Sequence, residues 1–153
     1  MSQSQSASPR TTGTPSGCTC LRLRKVARRV SQIYDHALAP YNLTVTQYGL
    51  LGHIKTLDGI GIGALAEALV MDPTTLTRNL KPLETRKLVV AVADIRDRRN
   101  RNLHLTDAGR TALSTARPGW EAAQRKIAEL LGDKDGPELA TMIDALLVKL
   151  SDE

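Results

Sequence analysis

Residues Asp97 to Gly109 read DRRNRNLHLTDAG. An arginine-rich tip comes first, then Leu103 and Leu105 in the alternation of a half-buried strand, then Thr106 at the start of a helix. Upstream, Leu88–Ile95 (LVVAVADI) is rich in β-branched residues and forms the hairpin partner of Asn102–Leu105. Before it lies Pro73–Arg86, dense in Thr, Asn, Arg and Lys, with Leu76, Leu80 and Leu83 on one helical face. Met71–Asp72–Pro73 supplies a turn, an N-cap and a proline at the first helical position. With Leu76 pointing inward, Thr74, Thr77, Arg78 and Lys81 project to the flank or the opposite side. Pro82 cannot donate to the Arg78 carbonyl and is expected to bend the last turn. A polar basic helix followed by a basic hairpin is the layout of a winged helix-turn-helix, whose helix fits a major groove beside a flanking wing.

Further out, a helix is expected from Thr44 or Thr46 to about Thr56, burying Val45, Tyr48, Leu51 and Ile54 or Leu57. Asp58–Gly59 reads as a turn and Gly61–Gly63 as flexible, with a short helix over Ile62–Leu69 (IGALAEAL). From about Cys20 to Leu38, Leu23, Val26, Val30, Ile33 and Ala37 recur at three–four spacing, a seam for another helix, and Pro40 ends the run. At the other end a long helix from Thr106 to about Leu131 is expected to bend at Pro118–Gly119 and break over Gly132–Pro137. A last amphipathic helix follows over Glu138–Leu150, carrying Leu139, Met142, Ile143, Leu146 and Leu150. The fold class is therefore mostly α with one β-hairpin. A winged helix-turn-helix lobe over about 44–105 is flanked by long dimerisation helices at about 20–40 and 106–151. Their apolar seams exceed what one small core covers, so a homodimer is expected. Residues 1–17 (MSQSQSASPRTTGTPSG) can bury almost nothing and are expected to be disordered, leaving 18–153 as one domain.

A hydrophobic content of 41% with 24% charged residues over 153 positions suits an ordinary globular domain. No apolar run approaches the length of a membrane span, and the polar start lacks a signal-peptide core, so a cytoplasmic chain is expected. Three Tyr, one Trp and no Phe argue against stacking platforms for single strands. The formal charge of +5 is unevenly spread. Residues 73–101 hold eight basic and three acidic side chains, and residues 20–29 hold five basic and no acidic ones, so the remainder is net acidic. Two concentrated basic segments are the mark of a side that faces a polyanion.

These residues carry a resemblance. The run DRRNRNLHLTDAG, an Asp-x-Arg wing followed by Leu-x-Leu-Thr-x-x-Gly at the head of the long helix, resembles MarR-type transcriptional regulators. So do LTVTQYGLL (43–51), IGALAEAL (62–69) and TLTRNLKPLE (75–84). The resemblance covers roughly residues 20–150. Two departures stand out: Lys87 replaces the family's usual glycine before the wing strand, and the N-terminal tail is long. The resemblance implies a homodimer whose first and last two helices interlock, with two winged lobes on successive major grooves of a pseudo-palindromic double-stranded DNA operator. Thr74, Thr75, Thr77, Arg78 and Lys81 become candidates for groove contact, Arg78 by bidentate pairing with guanine. Arg98, Arg99 and Arg101 surround the wing tip, where a guanidinium can enter a narrow minor groove or bind phosphate. Asp97 is expected to orient a neighbouring arginine.

Nothing in the chain reads as an enzyme: phosphate loop, nucleophile elbow and His-Glu-x-x-His are all missing. No cofactor or metal is expected, since Cys18 and Cys20 with scattered His36, His53 and His104 do not form a zinc-binding spacing. Two sensing modes are implied by the resemblance. In the first, a small aromatic acid or its thioester binds between the dimerisation helices and the winged lobe, where Arg22, Arg29, Tyr48 and His53 are candidates. In the second, Cys20 occupies the place of the reactive cysteine in peroxide-sensing, OhrR-like members. Arg22, Arg24 and Lys25 give it the positive surroundings such cysteines use, with Cys18 as a resolving thiol. Tyr34 matches one of the two tyrosines that hold the oxidised cysteine there, and Val45 replaces the other. Cys20 and Tyr34 lie about 21 Å apart along one helix and could meet only across a dimer. A winged-helix module that binds protein or RNA, and a thiol-based enzyme, are the alternatives from other classes.

Overall fold

The computed structural model describes residues 17–97 and 99–151; the tail expected over 1–17, except Gly17, and Arg98 lie outside the described residues. Helix α1 (Thr19–Leu38) runs into a 3-10 turn at Ala39–Tyr41, followed by α2 (Val45–Thr56), strand β1 (Ile60–Gly61), α3 (Ile62–Ala68) and α4 (Pro73–Thr85). Strands β2 (Val89–Ala93) and β3 (Arg101–Leu105) form the wing, and α5 (Asp107–Ser151) completes the chain.

Each boundary has a local cause. Thr44 and Gln47 form a reciprocal capping box at the start of α2. Asp35 of α1 reaches across to accept the Val45 N–H at 2.7 Å, so α1 satisfies a donor that α2 leaves open. Asn42 adopts φ 55 to end the 3-10 turn, a conformation its side chain tolerates. The head of α5 explains the Thr-x-x-Gly of the opening run. The Thr106 hydroxyl accepts the Gly109 N–H at 3.0 Å and donates to the Lys87 carbonyl at 2.6 Å. A Cβ on Gly109 would lie 2.0 Å from the Leu88 carbonyl oxygen. Thr106 thus caps α5 and ties it to the base of the wing, and Gly109 lets the two backbones touch. Gly119 does the same for α1 on α5, where a Cβ would meet the Ala37 carbonyl at 2.6 Å.

The sheet has order β1-β3-β2, antiparallel throughout, with Ile60 opposite Leu103 and Val89 opposite Leu105. Leu103 and Leu105 point into a single core with Leu38, Leu50, Leu51, Ile54, Leu65, Leu76, Leu80 and Leu83. The hairpin read from the sequence is present, and β1 adds a third strand where a flexible segment was expected. Leu50 is buried in α2 while Leu57, its C-cap, stays exposed. Backbone dihedrals remain helical through Pro118–Gly119 and leave the helical region within α5 at Gly132 (φ 77, ψ 172). The break expected over 132–137 falls at its first residue, Gly132, and separates the two helical segments of α5. Glycine takes up the kink at one residue and helix resumes at once. Among the described residues no helix is long and apolar enough to cross a membrane.

Candidate nucleic-acid interface

Helix α4 is built to show one face. Leu76, Leu80 and Leu83 are buried, and Thr74, Thr75, Thr77, Arg78 and Lys81 are all exposed. Its first turn is fixed by Asp72, which accepts the Thr74 N–H at 2.9 Å, the Thr75 N–H at 3.2 Å and the Thr75 hydroxyl. The Thr75 hydroxyl and these N–H groups hold the Asp72 carboxyl below its ordinary range, so the cap is charged at neutral pH. The Thr77 hydroxyl donates to the Pro73 carbonyl at 2.8 Å, which leaves its oxygen as an acceptor facing outward. Helix continues across Pro82 to Thr85. Arg86 N–H then bonds the Pro82 carbonyl at 3.1 Å, and Lys87 turns the chain at φ 55.

The wing is held by two aspartates. Asp94 accepts the Arg96 N–H at 2.7 Å and the Asn102 side-chain amide at 3.3 Å; the Arg96 N–H, then Asn102, keep its carboxyl below the usual range. Asp97 accepts the Arg99 N–H at 3.0 Å and the Asn100 amide at 3.3 Å. Asp97 therefore engages the neighbouring Arg99, through its backbone N–H, and shapes the tip. Arg99 and Arg101 are exposed, and Arg101 Nη2 donates to the Ala91 carbonyl at 3.1 Å, laying its guanidinium along β2. Arg96 is exposed on the same loop and belongs with them. On the β1 side of the central strand β3, His104 meets Asp58 at 2.9 Å, bracing the wing against the turn before β1.

The residues read as sensing candidates are dispersed. Arg22 and Arg29 lie on the exposed face of α1, Arg29 bonding Gln32 at 3.5 Å. Tyr48 stacks on Trp120 of α5 with ring centroids 6.0 Å apart, and burial raises its pKa, with the Arg117 charge opposing. His53 is exposed with Nδ1 2.8 Å from the Gly49 carbonyl. Cys18 is the N-cap of α1 and Cys20 sits in its first turn, both exposed. Tyr34 lies far along the same helix, its hydroxyl pKa raised by burial. Not legible from the residues is an open cleft of about 430 Å³ between Pro40–Asn42 and the Ala108, Thr111, Ala112 and Thr115 face of α5. Arg86, at the end of α4, reaches its edge and donates to the Asn42 carbonyl at 2.6 Å. None of Arg22, Arg29, Tyr48 or His53 lines it. Among the described residues no group of three His, Cys, Asp or Glu could hold a metal.

A capped polar helix, packed behind by α3 and flanked by a braced basic hairpin, defines a winged helix-turn-helix lobe. The MarR family model matches residues 41–100, from the turn after α1 to the wing tip. A 95-residue segment is 32% identical to the HTH-type transcriptional regulator SarZ of Staphylococcus aureus, covering 62% of this chain and 64% of SarZ. The chain thus matches just under two thirds of that relative's length. Among solved structures, the M. tuberculosis transcriptional regulator MosR in complex with DNA is 34% identical, with TM-score 0.78 over 88% of this chain and 97% of MosR. The transcriptional repressor CouR, bound to a 23-mer DNA duplex, is 28% identical with TM-score 0.79 over 92% and 99% of the two chains. CouR has also been solved with p-coumaroyl-CoA. The chain belongs to the MarR family of winged helix-turn-helix transcriptional regulators.

Proposed function

We propose that this chain acts as a homodimeric repressor that binds a pseudo-palindromic operator and leaves it when a small anionic aromatic ligand binds. The observation that carries the reading is the exposed face of α4, where two basic and three hydroxyl side chains project beside the wing arginines while the leucines opposite are buried. Arg78 pairs with a guanine edge, the Thr74 hydroxyl reaches a base or phosphate, Thr75 and Thr77 offer their hydroxyl oxygens to base donors, and the arginines at 98, 99 and 101 take the minor groove and backbone. Dimerisation is supported by the exposed apolar side chains of α1 (Leu21, Leu23, Val26) and of α5 beyond Gly132 (Met142, Leu147, Val148).

The effector reading is supported by the cleft at Pro40–Asn42 and by the binding of an anionic aromatic thioester by CouR. A carboxylate or phosphate there would compete with the neutral Asn42 carbonyl for Arg86, and so act on the end of α4. An effector works only through different affinities for the DNA-competent and incompetent dimers. Redox sensing at Cys20 is the second reading, favoured by two exposed thiols at the head of α1 beside Arg22, Arg24 and Lys25. One assay tests both. The protein is bound to DNA from its own promoter and challenged with aromatic acids, their thioesters and peroxide, alongside Cys20→Ser. Release by an acid or thioester with Cys20→Ser unaffected supports the ligand reading; loss of peroxide release in Cys20→Ser supports the redox one. Equal affinity for promoter and random DNA would remove both.

A further inference from the structure

Two residues at positive φ bracket α4: Val70 (φ 51) after α3 and Lys87 (φ 55) after α4. Each closes its helix with the same pair of backbone bonds. Val70 N–H bonds the Glu67 carbonyl at 3.0 Å and Met71 N–H the Ala66 carbonyl at 2.8 Å; Lys87 and Leu88 repeat the pattern onto Glu84 and Leu83. This closure is the Schellman motif, whose left-handed position is normally glycine. Lys87 has an unbranched stem, but Val70 is β-branched, and a branched side chain in the left-handed region is a genuine outlier. Burial does not offset the strain, because Val70 is 85% exposed. The turn closes through backbone bonds alone, and glycine would close it with less strain. A strained residue that the fold does not need is a pointer to function.

Its position says which function. Val70 stands two residues before Asp72, the N-cap that presents Thr74 and Thr75 at the exposed start of α4. An apolar side chain on a surface that faces a polyanion can be covered only by the apolar parts of that polyanion. In duplex DNA these are thymine C5-methyl groups and deoxyribose carbons. We propose that Val70 makes an apolar contact with duplex DNA beside the first turn of α4, and that the left-handed turn holds it there. The inference rests on the DNA-binding reading above.

The test uses the full chain and a duplex selected by the wild-type protein from a random pool. Val70→Gly should raise Tm by about 2–4 °C through relief of strain. The same variant should weaken binding to the selected duplex by about three- to tenfold at fixed salt; random-duplex affinity stays within about twofold if the contact is a thymine methyl and falls in parallel if it is sugar carbon. Val70→Asn, which tolerates the turn but is polar, should show the same loss, and Val70→Ile should bind as wild type. Replacing thymines by uracil one at a time separates the sources. A single position whose effect vanishes in Val70→Gly identifies a methyl group, and no such position identifies sugar carbons. Wild-type affinity in Val70→Gly, or a Tm that does not rise, overturns the inference. Failure of the wild-type protein to select any sequence would instead overturn the DNA-binding reading, before any variant is made.

Discussion

Gly109 shows how much one residue can fix. Its missing Cβ admits the Leu88 carbonyl, and Thr106 three residues earlier caps the same helix and holds the Lys87 carbonyl. Gly109→Ala puts a methyl 2.0 Å from a backbone oxygen that cannot move without shifting the wing. The expected loss is on the order of 3 kcal/mol in chemical denaturation, with an unchanged Tm contradicting the assignment. Lys87 works in the opposite direction. It occupies a left-handed helix end, so Lys87→Gly should stabilise the protein by about 1 kcal/mol, measured the same way. The resemblance marked Lys87 as a departure; the dihedral shows its cost.

At the scale of elements, α4 and the wing were legible because their signals are local. Asp72–Pro73 marks a helix start, leucines at 76, 80 and 83 mark its buried side, and alternation at Leu103 and Leu105 marks a strand. The third strand was not legible, because two residues carry no alternation and β1 exists only by pairing with Leu103, far along the chain. The same holds for Asp58 with His104 and Arg86 with Asn42, which are 46 and 44 residues apart in sequence. Asp97 is expected to orient a neighbouring arginine, and it holds Arg99 through the backbone N–H, a local turn that competes well with any longer reach. The two capping carboxylates also set a pH dependence. Asp72 and Asp94 have folded-state pKa values below their ordinary range. Their stabilisation is therefore full above the unfolded carboxylate pKa of about 3.9 and is lost as pH falls through the lower folded values. Amide exchange at Thr74, Thr75 and Arg96 should be flat from neutral pH to about 5, after correction for intrinsic rates, and lose protection only in stronger acid. A loss already present near pH 6 would contradict the capping account.

The core draws on the lobe, on Leu38 at the end of α1 and on Leu113 and Ala116 of α5, while the outer parts of both terminal helices lie beyond it. Leu130, Met142, Leu147 and Val148 are each more than half exposed on α5, and Val26 is likewise on α1. Apolar faces of this extent are expected to be covered by a second copy. Met142→Glu combined with Leu147→Glu should convert a dimer to a monomer in sedimentation analysis and abolish tight operator binding. A dimer that persists would place the interface elsewhere. The three–four spacing of α1 marked its apolar stripe in the sequence. The cleft beside Pro40 stayed hidden, since it is made where the turn after α1 passes the first turns of α5.

The central claim is that α4 reads sequence while the basic surroundings hold phosphate. It is tested most directly by titrating wild-type and Arg78→Ala protein against a selected duplex and a random duplex of equal length at several salt concentrations. The account predicts that Arg78→Ala loses about ten- to a hundredfold on the selected duplex and little on the random one, with both affinities falling steeply with salt. An equal loss on both duplexes would reduce Arg78 to a phosphate contact, and no loss on either would contradict the placement of α4 in the groove.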